Sequence, residues 1–106
     1  MQEQELQECF AIKDLSALQA QAPGQLTIID VRNPEEYTAK HIATAINIPL
    51  SELGYRSNQL PKDNIIVTAC GKGGGRSAQA AAFLKQMGFK QVNYLCGGTF
   101  GWFEAL

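Results

Sequence analysis

Residues 65–69 read Ile-Ile-Val-Thr-Ala and run straight into Cys70-Gly71-Lys72-Gly73-Gly74-Gly75-Arg76-Ser77. No other stretch constrains the fold so strongly. A run that is apolar on successive positions suits a strand covered on both faces, as in a parallel sheet; a strand with one wet face would alternate. Leu26-Thr27-Ile28-Ile29-Asp30-Val31 is a second run of the same kind. Between such runs lie helical signals. Asn33-Pro34-Glu35-Glu36 offers a capping side chain, a proline for the first turn and two acids for the positive helix end.

The remaining segments continue the alternation. Cys9-Phe10-Ala11-Ile12 reads as a short edge strand, followed by a helix with Leu15 and Leu18 on one face that Ala22-Pro23-Gly24 stops. Ala45-Ile46-Asn47-Ile48 is a short strand ended by Pro49, and residues 50–62 hold irregular helical turns closed by Leu60-Pro61. A helix is expected from Ala78 to Met87, stopped by Gly88, then a strand over Gln91–Leu95, then an aromatic helix from Gly97-Gly98 through Leu106. Strands alternating with helices predict an α/β fold of three layers, a parallel sheet with helices on both faces. Residues 1–8 carry no apolar rhythm and read as a frayed extension of a single domain spanning 1–106.

Composition narrows the function classes. Residues 1–36 hold seven acids against two bases, and residues 37–106 hold three acids against seven bases. The second half therefore suits a local anion site, but it has no dense basic run of the kind that binds polynucleotides. Ala80-Ala81-Ala82-Phe83-Leu84 is the longest apolar stretch and is far too short to span a bilayer. The acidic start MQEQELQECF has the wrong charge for a secretory signal. Three cysteines (Cys9, Cys70, Cys96), no C-x-x-C and a single histidine argue against a disulfide framework and a structural zinc site. Reduced thiols in a cytoplasm-like compartment are the expectation.

The chemistry concentrates after Cys70. In open parallel sheets, ligands bind beyond the carboxyl ends of the strands, where Asp30, Cys70 and Cys96 fall. Glycines at 71, 73, 74 and 75 permit the backbone conformations that turn successive N–H groups inward as an anion nest. The amino end of the next helix adds unsatisfied N–H groups, and Lys72 and Arg76 add full charges. Cys70 is placed at the mouth of this cradle as a nucleophile. A nucleotide-binding P-loop does not fit, because the lysine precedes the glycines.

The chain resembles the single-domain rhodaneses, a family of sulfurtransferases. The resemblance runs from about Ile12 to Trp102: Ile29-Asp30-Val31-Arg32, Pro34-Glu35-Glu36-Tyr37, His41-Ile42, Ala45-Ile46-Asn47-Ile48-Pro49-Leu50, the Cys70 loop, and Gly97-Gly98-x-x-Gly101-Trp102. It implies a three-layer α/β/α sandwich around a five-stranded, mostly parallel sheet. It implies that Cys70 takes the outer sulfur of thiosulfate or a similar sulfane-sulfur donor as a persulfide. Residues Gly71 to Gly75 would stabilise that persulfide, and Lys72 and Arg76 would bind the donor's sulfonate. A thiol or cyanide would then accept the sulfur, the thiol being small or carried by a protein such as a thioredoxin-like carrier. No metal or organic cofactor is implied, nor any nucleic-acid or membrane partner.

Seven residues run from Cys70 to Arg76, one more than in the usual sulfurtransferase loop. The spacing C-x5-R-S is shared with related cysteine phosphatases and arsenate reductases, which remains the alternative. Against it, Ala69 stands where those phosphatases usually carry histidine, and no carboxylate lies within Gly71–Gly75 to protonate a leaving alcohol. Among supporting residues, Asp30 and Arg32 suit a charge pair bracing the strand end better than substrate contact. Ser77 closes the motif. His41 suits a backbone hydrogen bond in its turn better than a base. Cys96 reads first as a small side chain in a glycine-rich corner, with a resolving thiol for Cys70 as the alternative. Cys9 reads as structural. Phe100, Trp102 and Phe103 are expected to pack the last helix, with one bordering the site.

Overall fold

The computed structural model describes residues 9–105, so the expected frayed segment 1–8 and the final Leu106 lie outside the described residues. Four strands form one parallel sheet in the order β2-β1-β3-β4: β1 (Leu26–Asp30), β2 (Ile46–Asn47), β3 (Ile65–Ala69) and β4 (Gln91–Tyr94). The register pairs Asp30 with Ala69 and with Asn47, which brings the carboxyl ends of the two central strands to the same level. Among the described residues five α-helices surround the sheet: α1 (Ile12–Gln21), α2 (Pro34–Ala39), α3 (Leu53–Arg56), α4 (Gly75–Gln86) and α5 (Gly98–Ala105).

Successive apolar residues in the central strands are buried because both faces are covered. Ile28 and Val67 join Leu15, Ile42, Ala45, Leu95 and Trp102 on one face, beneath α1 and α5. Ile29 and Ile66 join Leu53, Ala80, Ala81, Leu84, Phe89 and Val92 on the other, beneath α3 and α4. Alternate side chains of a strand point to opposite faces, so each of these strands serves two cores. This is the expected three-layer arrangement.

The sheet has four strands rather than the expected five. In the segment Cys9–Ile12 only Phe10 pairs, through an isolated parallel bridge to Leu95: Phe10 N–H donates to Tyr94 O at 2.7 Å, and Cys96 N–H donates to Phe10 O at 3.0 Å. The strand is cut short because Ile12 already begins α1, with Ala11 as its cap. The fourth helix also starts earlier than expected, at Gly75 rather than Ala78. The carbonyl of Gly74 accepts from Ser77 N–H at 3.0 Å and from Ala78 N–H at 3.4 Å, so the end of the glycine run is the helix cap itself. Arg76 and Ser77 thereby belong to the first turn of α4.

One expectation about the cysteines is overturned. Cys9 and Cys96 form a disulfide with a Cα–Cα separation of 4.9 Å, and Cys70 alone is a free cysteine. Cys9 directly precedes Phe10 and Cys96 directly follows Leu95, so the disulfide joins the same two segments that the Phe10–Leu95 bridge holds together. An odd cysteine count therefore reflects one pair plus one free thiol. No helix among the described residues is long and apolar enough to cross a membrane.

Candidate active site

Cys70 follows β3 directly and is buried, with about 5% of its surface exposed. The Sγ–H donates to Gly74 O at 3.1 Å and to Ser77 Oγ at 3.2 Å, and the Ser77 hydroxyl donates in turn to Gly74 O at 2.8 Å. Thr68 Oγ1 donates to Ser77 O at 2.8 Å, both residues being buried. Strand β3 and the first turn of α4 are thus tied together directly beneath the thiol. Thr68 lies inside the apolar run and carries no sequence signal for this role.

The loop backbone is held from outside. Thr99 N–H donates to Cys70 O at 2.8 Å and Phe100 N–H donates to Gly71 O at 2.9 Å, so the first turn of α5 takes both carbonyls. Across a planar trans peptide the C=O and N–H groups point in opposite directions, and no peptide in the described chain is cis. The N–H groups of Gly71 and Lys72 therefore point away from α5. No acceptor among the described residues takes the N–H of any residue from 71 to 76. Six consecutive donors without a partner among the described residues, of which Gly71 is buried and the other five are partly or fully exposed, form a run of the kind an anion can fill. One part of the loop departs from the sequence expectation: the Gly74 carbonyl, not an amide, faces the resting thiol.

Gly98 makes this docking possible. A Cβ at that position would lie 2.5 Å from Gly73 N and 2.6 Å from the carbonyl oxygens of Cys70 and Gly71. Its φ of +63° is a second reason for glycine there. The sequence shows the Gly97-Gly98 pair, but not that it forms the floor of the Cys70 loop. Phe100 borders the mouth: half exposed, its ring would sit 3.1 Å from a Cβ on Gly71. Trp102 is buried in the core, as packing of the last helix requires.

The charged residues fall into three groups. Asp30 and Arg32 are both buried and form a bidentate pair, with Arg32 Nη2 at 2.7 Å from Asp30 Oδ2 and Nε at 2.9 Å from Oδ1. Arg32 Nη2 also donates to Lys40 O at 2.6 Å, which leaves this side chain engaged in bracing β1 against the end of α2. Arg76 is paired with Glu36: Nη1 lies 3.1 Å from Oε1 and Nη2 lies 3.4 Å from Oε2. Glu36 Oε1 further accepts Asn33 N–H at 3.0 Å, the capping-box contact of α2. The Arg76 hydrogen bond, helped by the Asn33 N–H, holds the Glu36 carboxyl below its usual range, and the same pairing raises Arg76 above its own. Lys72 is exposed and has no ion-pair partner among the described residues.

Two further candidates are placed. His41 Nδ1 is 2.9 Å from Tyr37 O, and its ring stacks on Tyr37 with centroids 3.8 Å apart, so it sits in the turn after α2 as a structural residue. Cys96 is not a free thiol; its sulfur is bonded to Cys9, and it is not available to resolve Cys70 in this state. The sequence treats Glu36 as a helix-capping acid, and only the fold reveals its second partner.

Comparison with known proteins places the chain among relatives of the same fold. A sulfurtransferase of Allochromatium vinosum is 36% identical over 75 residues, covering 71% of this chain and 69% of that protein. The thiosulfate sulfurtransferase PspE of Escherichia coli is 42% identical over 65 residues, covering 60% of this chain and 62% of that protein. The chain thus spans about two thirds of the length of these two relatives. The crystal structure of a rhodanese-related protein from Thermoplasma volcanium superposes with a TM-score of 0.80 at 34% identity, over 92% of each chain. With the family pattern described as the rhodanese-like domain matching residues 12–105, the chain belongs to the rhodanese-like domain family.

Proposed function

We propose that this protein is a sulfurtransferase that carries sulfane sulfur on Cys70. The observation that carries the reading is the free, buried Cys70 at the end of β3, opening a loop whose six N–H groups from 71 to 76 have no acceptor among the described residues. In the forward half-reaction the Cys70 thiolate attacks the outer sulfur of an anionic donor such as thiosulfate. The Cys70–sulfur bond forms, the donor's S–S bond breaks, and sulfite leaves with the electron pair of that bond. The outer sulfur lies one S–S bond, about 2.05 Å, beyond Sγ. Its negative charge then calls for N–H donors beyond the resting thiol, and the unclaimed amides supply them. In the second half an acceptor thiolate or cyanide attacks the outer sulfur and the Cys70 thiolate departs, giving double-displacement covalent catalysis.

Lys72 supplies the exposed cation for the anionic end of the donor, Arg76 a second cation that already has a carboxylate partner, and Ser77 a hydroxyl that orients the resting sulfur. A small thiol or a thioredoxin-like carrier is the acceptor class. A disulfide persists in oxidising surroundings and is rare where glutathione keeps thiols reduced. With Cys9 bonded to Cys96, the case for a cytoplasm-like compartment loses its premise of three reduced thiols. The C-x5-R spacing also favours a second reading, phosphate or arsenate chemistry at Cys70.

The test is one set of parallel incubations. Thiosulfate should add the mass of one sulfur atom to the protein, cyanide should remove it as thiocyanate, and Cys70→Ser should abolish the gain. Absence of the sulfur adduct, together with turnover of an aryl phosphate or arsenate, would replace sulfur transfer by the second reading.

A further inference from the structure

The anion site carries its own counter-ion. Both terminal nitrogens of Arg76 are engaged by the two carboxylate oxygens of Glu36, at 3.1 and 3.4 Å. Glu36 is held there by Asn33 N–H as well, which donates to the same Oε1, because Glu36 is the third helical residue of α2 and closes its capping box. Arg32, the next guanidinium along, is engaged by Asp30 and Lys40 O. Of the two cations in the Cys70 loop, Lys72 and Arg76, only Lys72 is therefore uncompensated among the described residues. A tetrahedral dianion entering this loop must share Arg76 with a carboxylate and meets one net positive charge rather than two.

We propose that Glu36 is a specificity-determining residue of this site, weakening its hold on small tetrahedral dianions such as thiosulfate, phosphate and arsenate relative to persulfidated thiols. The proposal rests on the sulfur-transfer reading and names its donor class. Like charges placed together cost free energy, and a half-exposed carboxylate screens a neighbouring cation without any contact to the reacting sulfur. With a persulfide donor R–S–SH the Cys70 thiolate attacks the outer sulfur, the donor's S–S bond breaks and R–S⁻ leaves with its electron pair while the proton stays on the transferred sulfur. There is no sulfonate to seat, so the Arg76–Glu36 pair can stay closed. Thiosulfate has to compete with that pair. The capping contact makes the competition persistent, since Glu36 cannot leave Arg76 freely without giving up the Asn33 N–H.

Glu36→Gln tests this cleanly, because glutamine also serves at the third position of a capping box while removing the charge. Initial rates with thiosulfate and with the persulfide of mercaptoethanol, an otherwise uncharged donor, give kcat and KM for each protein. The expected result is a thiosulfate KM lower by on the order of fivefold in Glu36→Gln, with kcat and the persulfide KM little changed and the gain shrinking at high salt. In an Arg76→Gln background the same substitution should have a much smaller effect, since Glu36 acts through Arg76. A merely structural role would move both donors together and would not respond to salt. If wild type loads sulfur on Cys70 and Glu36→Gln leaves the ratio of kcat/KM for the two donors unchanged, the counter-ion proposal is overturned and sulfur transfer stands. If wild type loads no sulfur from either donor, sulfur transfer falls and with it the named donor class. Calorimetric binding of thiosulfate to Cys70→Ser and to Cys70→Ser/Glu36→Gln then decides the counter-ion itself, and equal affinities overturn that too.

Discussion

Breaking the Cys9–Cys96 bond is the perturbation with the largest calculable effect on this fold. The two cysteines are 87 residues apart, so the bond closes nearly the whole described chain into one loop. Loop-closure entropy for a ring of that size corresponds to about 4.6 kcal/mol at 25 °C in the chain-entropy treatment, within the range of about 2–5 kcal/mol usual for losing a native disulfide. A domain of this size has an unfolding entropy of about 0.2 kcal/mol/K near its midpoint, so the loss corresponds to a fall in Tm of about 10–20 °C. The upper figure is a ceiling, because the two backbone hydrogen bonds of Phe10, to Tyr94 and Cys96, tether the same segment independently of the sulfurs. The assay is thermal unfolding followed by circular dichroism, with and without reductant, on wild type and on the Cys9→Ser/Cys96→Ser double variant. The variant should match the reduced wild type and should not respond to reductant. Thiol titration of the unfolded, unreduced protein should find Cys70 alone reactive. Equal midpoints in oxidised and reduced wild type, or three titratable thiols in the unreduced protein, would refute the reasoning.

Other consequences can be checked alongside. Arg32→Ala leaves the Asp30 carboxylate buried without its partner and should destabilise the protein by about 3–5 kcal/mol, read from urea unfolding midpoints. Gly98→Ala sets a Cβ within 2.6 Å of three loop backbone atoms at a positive φ, so the Cys70 loop must move, and sulfur loading should fall at least tenfold by about the free energy of one strained residue. Glu36 has a folded pKa below its ordinary value, so its contribution to stability is full above about pH 5 and is lost as pH falls through the lowered value. The stability difference between wild type and Glu36→Gln should therefore close on acidification below about pH 4, which denaturant midpoints measured across that window would show.

What was legible in the sequence was local. Ile65–Ala69 and Leu26–Asp30 declare themselves as doubly covered strands because burial on both faces leaves no room for polar alternation, and the structure places both at the centre of the sheet. Asn33-Pro34-Glu35-Glu36 declares a helix start because cap, proline and acids all act within one turn. The chain went unread where the physics is long-range. Cys9 and Cys96 are joined between segments at opposite ends of the sequence, 87 residues apart, and cysteine counting cannot see which segments the fold brings together. Glu36 finds Arg76 across 40 positions, and the same carboxylate that caps a helix turns out to neutralise a loop cation. The fifth strand failed for a local reason of a different kind: Ile12 satisfies the strand pattern and the helix start equally, and α1 claimed it.

The glycine run shows how a correct signal can have more than one cause. Read as sequence, four glycines in positions 71, 73, 74 and 75 all serve an inward nest. In the structure they answer different demands. Gly73 is needed because another backbone, that of Gly97 and Gly98, passes within 3.1 Å of where its Cβ would be. Gly74 has open space around it, and what it needs is its φ of +67°, which turns its carbonyl inward to the thiol and the first turn of α4. Gly73 too has a positive φ, of +90°, so the two substitutions share backbone strain and differ by the crowding at Gly73. Gly73→Ala must displace α5 and the loop together, whereas Gly74→Ala meets no atom and should cost only the conformational strain, about 1–3 kcal/mol. If the nest served the resting thiol, the Gly74 variant would be the more damaging to sulfur loading. If the amides serve the outer sulfur of the persulfide, as the partnerless N–H groups and the inward Gly74 carbonyl argue together, Gly73→Ala is the variant that should lose it, with persulfide formation followed by mass on both proteins.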